Sequence, residues 1–229
     1  MARILHQDAQ VRKDFEAAIR KKTQQQIDQV VMRAQPRIPS VLQPLLTPLV
    51  RWSARSRQAG FEHTGSRGEG QLALALRMRL GGAWTLCPNV VLSLGPQAFA
   101  QLDHLIIGPA GLYVIEVKTW QSAIRARGDA WQRKSGTGWV AVSSPTKQNA
   151  EHVEKLRHWI VQTQFGSLQT SVMGAVVVLD SPWLRVTNSS MPVFDRPSAL
   201  ARWLVETDKQ RPILPPNKAD QLVQRLRIG

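Results

Sequence analysis

The sequence predicts an α/β domain preceded by a basic helical extension. Three observations carry that expectation. Strand-like runs between Trp84 and Val117 lie between two stretches with helical character, so a meander is bracketed by helices. A fully apolar run, Val172 to Leu179 (VMGAVVVL), follows the second helix and has the character of a central strand buried on both faces. The first quarter of the chain instead holds one amphipathic stretch and a segment broken by Pro36, Pro39, Pro44 and Pro48.

In chain order, Val11, Phe15, Ile19, Ile27 and Val30 recur at spacings of three, four or twice four, which predicts a helix over 8–33. Arg, Lys and Gln fill its other face, and Thr23 interrupts the stripe. The proline-broken segment that follows carries apolar residues from Ile38 to Val50. It is too short and too punctuated to span a bilayer, and packing on the main domain is preferred to lying on a membrane. RWSARSRQAG (51–60) reads as a basic linker, placing a boundary near residue 60 between an extension (1–60) and a domain (61–229).

Arg67 to Leu80 reads as a helix stopped by Gly81-Gly82. Strands are expected at Trp84–Leu94, Leu102–Ile107 and Leu112–Val117, with shorter ones at Ile124–Ala126, Trp131–Arg133 and Gly138–Val142. Ser144 followed by Pro145 starts a helix running to about Gln164: the hydroxyl caps it, and proline suits the first helical position. A short strand at Pro192–Phe194 and helices over 197–207 and 217–227 close the chain.

Composition narrows the function classes. The chain has 229 residues, 30 Lys+Arg against 16 Asp+Glu, and a formal net charge of +14. A hydrophobic fraction of 43% excludes a wholly disordered chain. One cysteine, Cys87, excludes both a disulfide framework and a cysteine-based zinc site. No apolar run reaches the roughly 18 residues of a membrane span, and MARILHQDAQVRKDFE has no signal-peptide core. A cytoplasmic protein is expected. So much positive charge favours a polyanionic partner, either nucleic acid or an anionic membrane surface. Residues 1–60 hold 11 Lys+Arg and 4 Asp+Glu, so +7 of the +14 lies there.

Chemistry concentrates in QLDHLIIGPAGLYVIEVKTW (101–120). Gly108-Pro109-Ala110-Gly111 has the residues of a tight turn. A hairpin centred on Pro109–Ala110 sets Asp103 opposite Glu116, with Lys118 on the same face because side chains alternate. Leu105, Ile107, Leu112 and Val114 complete that face; Ile106, Tyr113, Ile115 and Val117 make the other, so both faces read as buried. Opposed carboxylates repel, and burial worsens this. A divalent cation resolves the conflict, and Mg²⁺ or Mn²⁺ prefers such oxygen ligands. A lysine beside them can activate water or stabilise charge growing on a phosphate. The arrangement suits metal-assisted phosphodiester hydrolysis. The plainer alternative is a carboxylate–Lys118 ion pair at a strand end, without chemistry.

Gly65-Ser66-Arg67-Gly68-Glu69, then QLDH (101–104), GPAGLYVIEVKTW (108–120) and Ser144-Pro145 with Gln148 together resemble the nuclease-related domain (NERD) family. That family belongs to the PD-(D/E)xK nuclease superfamily. The resemblance spans about residues 61–165. It implies a restriction-endonuclease-like core: helix, three-stranded meander, helix and strand, with a mixed central sheet flanked by helices. It implies that Asp103 and Glu116 bind Mg²⁺ or Mn²⁺, that Glu69 completes the acidic cluster, that Lys118 is the catalytic lysine, and that Gln148 lies beside them. Gly65 and Gly68 match the glycines at the helix start. One departure is Gln121-Ser122, where the family often has glycine before the next strand.

Without the resemblance, Glu69 reads as a solvated charge in a helix's first turn, and Gln148 equally as a surface glutamine. Arg67 and Lys147 are candidate phosphate contacts on charge alone. His104 should point away from Asp103, while His152, one turn after Gln148, is a candidate for a polar contact near the site. His63 reads as surface and Cys87 as a small buried hydrophobe. Trp120, Trp131 and Trp139 suit packing better than base stacking. No G-x-S-x-G, P-loop or G-x-G-x-x-G occurs. The expected activity is a metal-dependent DNA nuclease. The rival is a non-catalytic nucleic-acid-binding or assembly module, whose basic 1–60 arm meets DNA, a partner or a membrane surface.

Overall fold

A computed structural model describes residues 1–34, 68–95 and 98–228. The proline-broken segment, the linker, the boundary near residue 60, His63 and Arg67 lie outside the described residues. The elements are β1 (Arg3–Ile4), α1 (Ala9–Ala34), α2 (68–79), β2 (Thr85–Gly95), β3 (Ala98–Ile107), β4 (Leu112–Thr119), β5 (Ile124–Arg127), β6 (Ala130–Ser135), β7 (Gly138–Val142), α3 (Pro145–Val161), a 3₁₀ turn (Gly166–Ser171), β8 (Val172–Leu179), β9 (Leu184–Thr187), β10 (Val193–Phe194), α4 (Pro197–Lys209) and α5 (Pro216–Ile228).

The central sheet is mixed, in the order β1-β2-β3-β4-β8-β10. The β2–β3–β4 meander is antiparallel, while β8 pairs parallel to β4 after a crossover that includes α3. Apolar residues on both faces of β3 and β4 demand a layer on each side, and the chain supplies both. Leu105, Ile107, Leu112 and Val114 pack with Val153, Leu156, Trp159 and Ile160 of α3 and with Leu222 and Leu226 of α5. Ile106, Tyr113, Ile115 and Val117 pack with Leu72, Leu76 and Leu80 from the α2 segment and with Leu200 and Leu204 of α4. Leu74 and Met78, apolar residues of the same segment, are exposed because Leu72, Leu76 and Leu80, four apart, take the buried face of the helix.

A four-stranded sheet, β7-β6-β5-β9, lies beside the central one. Its inner face (Ile124, Ala126, Trp131) is closed by Val176 and Val178 of β8. β9 has no sequence-level expectation: LRVT is short and follows a proline.

The first eight residues, assigned by sequence to the extension, are built into this domain. β1 adds in parallel at the edge of β2, and Ala2 is buried. The Gln7 amide donates to the Val91 and Leu226 carbonyls and accepts from Val91 N–H. Two residues are too few for a pattern, so only tertiary pairing defines this strand. α1 forms as expected, and Phe15 meets Phe99 of β3 edge-on at 6.1 Å. Among the described residues, no helix is long and apolar enough to cross a membrane.

Candidate active site

The β3–β4 hairpin turns at Gly108–Gly111, closed by a 2.9 Å bond from Gly108 N–H to the Gly111 carbonyl. Its register runs Ile107–Leu112, Ile106–Tyr113, Leu105–Val114 and His104–Ile115, as the turn predicts. Regular pairing ends there, one pair short of Asp103–Glu116. Val117 N–H instead donates to Asp103 Oδ2 at 2.8 Å, so the carboxylate takes over as a main-chain acceptor.

Glu116 is 0% exposed. Lys118 Nζ lies 2.6 Å from its Oε1, and His152 Nδ1 lies 3.2 Å from its Oε2. Among the described residues, neither carboxylate oxygen has a well-aligned hydrogen bond, so Lys118 makes a close charge contact, His152 a close approach, and lone pairs are left unclaimed. Lys118 Nζ also donates to Gln148 Oε1 at 3.1 Å. Burial and the adjacent Glu116 carboxylate push the Asp103 carboxyl up to about 7, against the downward pull of Val117 N–H and Lys118. Burial also raises Glu69, which bonds to the Asn89 side chain and feels both Glu116 and Lys118.

Five expected residues thus share one neighbourhood: Glu69 from α2, Asp103 from β3, Glu116 and Lys118 from β4, and Gln148 from α3. Gly68 sets the approach of α2. A methyl group there would overlap the Thr119 hydroxyl. On α3, Ser144 caps the start by accepting from Lys147 N–H, as expected. The Asn149 side chain then donates to the Val114 and Ala175 carbonyls, fixing the helix across β4 and β8. Thr146 accepts from the Trp131 indole and donates to Asp129, tying the same turn to the small sheet. Lys147 is exposed, and its charge acts on Asp129.

His104 diverges from Asp103, as alternation requires. It is buried and bonds to the main chain of Glu69, and burial lowers it to about 4. Cys87 is buried, and its thiol is pushed up to about 12. The participant least visible in the sequence is Asn89. It sits within β2 with a left-handed φ of 53°, its side chain reaching Glu69 and accepting from Gln101. Its signal was the Pro88-Asn89 pair inside an apolar strand, since both residues interrupt regular ladders.

Among the described residues, no group of three His, Cys, Asp or Glu side chains forms a ready metal cage. The donor chemistry nevertheless suits a hard divalent cation: Glu116 is buried with unclaimed oxygens, and the neighbouring Asp103 carboxyl is crowded by its charge.

Neither a curated protein nor a solved structure matches the chain. The family model of the nuclease-related domain (NERD) does, over residues 64–179 of 229, from the residues just before α2 to the last residue of β8. The match takes in the whole carboxylate–lysine cluster, and the chain belongs to the nuclease-related domain family.

Proposed function

We propose that this protein is a metal-dependent nuclease that hydrolyses phosphodiester bonds in DNA, in the cytoplasm. The observation that carries the reading is the fully buried Glu116 carboxylate, whose oxygens lack aligned donors and which adjoins the crowded Asp103. Asp103 and Glu116 would hold Mg²⁺ or Mn²⁺, with Glu69 supporting it. When bound, such an ion polarises a phosphoryl oxygen and makes coordinated water more acidic. Lys118 keeps a positive charge at Nζ beside the reacting phosphate, where it orients the attacking water and offsets growing negative charge. Gln148 holds that ammonium in place, and His152 Nδ1 lies beside the far oxygen of Glu116. Arg67 and Lys147 are assigned to backbone phosphates.

A test incubates the purified protein with supercoiled plasmid and single-stranded DNA in Mg²⁺, Mn²⁺ or EDTA. Cleavage should need metal and disappear in Glu116→Gln. Identical behaviour of wild type and variant under every condition overturns the catalytic reading. The short Lys118–Glu116 contact favours a second reading, a self-neutralised pair in a non-catalytic nucleic-acid-binding module. In that case Mg²⁺ leaves the melting temperature unchanged, and DNA binding depends on residues 1–60.

A further inference from the structure

The four strands of the small sheet (IRAR, AWQRKS, GWVAV and LRVT) carry five Lys+Arg and no Asp or Glu. Pairing sorts most of that charge onto the face turned away from Val176 and Val178. Arg125 lies beside Arg185 and Arg127 beside Thr187 between parallel strands, and Lys134 lies opposite Trp139. Among the described residues, none of these cations has an acidic partner. Arg125 instead covers the Trp139 ring at 4.3 Å and bonds to Gln132, while Lys134 donates to the Thr137 carbonyl. Trp183 stands 6.0 Å from Trp139 at an interplanar angle of 51° and is 45% exposed. Trp120 and Trp131 pack together at 5.9 Å, as the sequence suggests, but Trp139 faces outward.

Two arginines side by side repel, and a half-exposed indole forgoes burial, so this face contributes little to folding. Both features become favourable when a polyanion with accessible ring faces lies across them. We infer that the outer face of the small sheet binds single-stranded nucleic acid, with unpaired bases stacking on Trp183, which Trp139 backs, and phosphates meeting Arg125, Arg127 and Arg185. Duplex bases are already stacked on each other and offer no such face. The sheet's inner face packs on Val176 and Val178, which pair in register with Glu116 and Lys118. The small sheet is therefore one sheet packing distance, about 10 Å, from the strands that carry the candidate site, with the proposed track on its far face. This deepens the nuclease reading by naming its substrate class. It rests on that reading for the link to cleavage, but not for binding.

The test measures binding of the full chain to a fluorescein-labelled oligothymidylate by anisotropy in EDTA, so that cleavage cannot intervene. Trp183→Ala should weaken binding by about tenfold. Arg127→Ala/Arg185→Ala should make the dependence of log affinity on log salt shallower by about 1.4, at roughly 0.7 per phosphate contact. All these side chains are at least partly exposed, so circular dichroism should show unchanged folding. Wild-type affinity in both surface variants overturns the inference. So does preference for a duplex of matched length, or loss of binding to phosphatidylserine vesicles with oligonucleotide binding intact. If the face governs binding but no metal supports cleavage, the inference stands and the nuclease reading falls. If cleavage occurs while binding is indifferent to the face, the inference falls and the nuclease reading stands.

Discussion

Lys118 Nζ lies 2.6 Å from Glu116 Oε1, two residues back on the same strand face, and 3.1 Å from Gln148 Oε1 on α3. The carboxylate is fully buried while the lysine side chain is 23% exposed, so the ammonium brings charge compensation from the solvent edge to a group that has no other strong donor among the described residues.

Lys118→Met should therefore uncover a buried negative charge. The expected loss is about 1–3 kcal/mol, below the 3–5 typical of a fully buried pair because Lys118 is partly solvated. Millimolar Mg²⁺ should restore more stability to this variant than it adds to wild type. Thermal unfolding with and without Mg²⁺ measures both, and Glu116→Gln/Lys118→Met should lose less than the single lysine variant.

Asp103 sets a pH dependence. Its carboxyl is raised to about 7, whereas an unfolded aspartate releases its proton near 4. Between those values the folded protein holds the extra proton, so stability falls as pH rises through the window. Asp103→Asn removes that loss. Its advantage over wild type should grow from nothing near pH 4 to at most about 4 kcal/mol at pH 8 in EDTA. A pH-independent difference in melting temperature contradicts this.

His104 acts in the opposite sense. Burial lowers it to about 4, while an unfolded histidine titrates near 6.5. The unfolded chain therefore takes up more protons in that interval, and stability is lost as pH falls from about 6.5 towards 4. His104→Gln should flatten the profile there by up to about 1.4 kcal/mol per pH unit. Chemical denaturation at closely spaced pH values reads the slope directly.

Gly68→Ala should displace the start of α2, because its methyl overlaps the Thr119 hydroxyl. The expected destabilisation is about 1–3 kcal/mol. Any cleavage activity should fall by more than stability predicts, since Glu69 is carried on the same turn. Gly70→Ala, where nothing lies within 4 Å of the added carbon, is the matched control: it should leave activity unchanged and add roughly 0.5–1 kcal/mol of stability through helix propensity.

The hairpin register was legible because a four-residue turn sits between two apolar segments, and each pairing then follows by counting. The capped start of α3 was legible because Ser144-Pro145 has a local physical cause. His152 was visible only as a neighbour of Gln148 by helical spacing, and its 3.2 Å approach to Glu116 required α3 to be docked on β4. Asn89 was missed because its left-handed backbone, not its residue type, points it at Glu69.

By itself the sequence determined the α/β order of elements, the side chains that share a face with Glu116, and an excess of positive charge around an acidic centre. Those follow from alternation, helical spacing and turn chemistry, which act over a few residues. The tertiary structure decided what those residues meet. It built Arg3 and Ile4 into the sheet, set Asp103 under Val117 N–H where regular pairing stops, and turned Trp139 and Trp183 outward beside arginines that have no acidic partner among the described residues. Such contacts depend on which elements dock, and docking is governed by the burial of whole apolar faces rather than by any one local pattern.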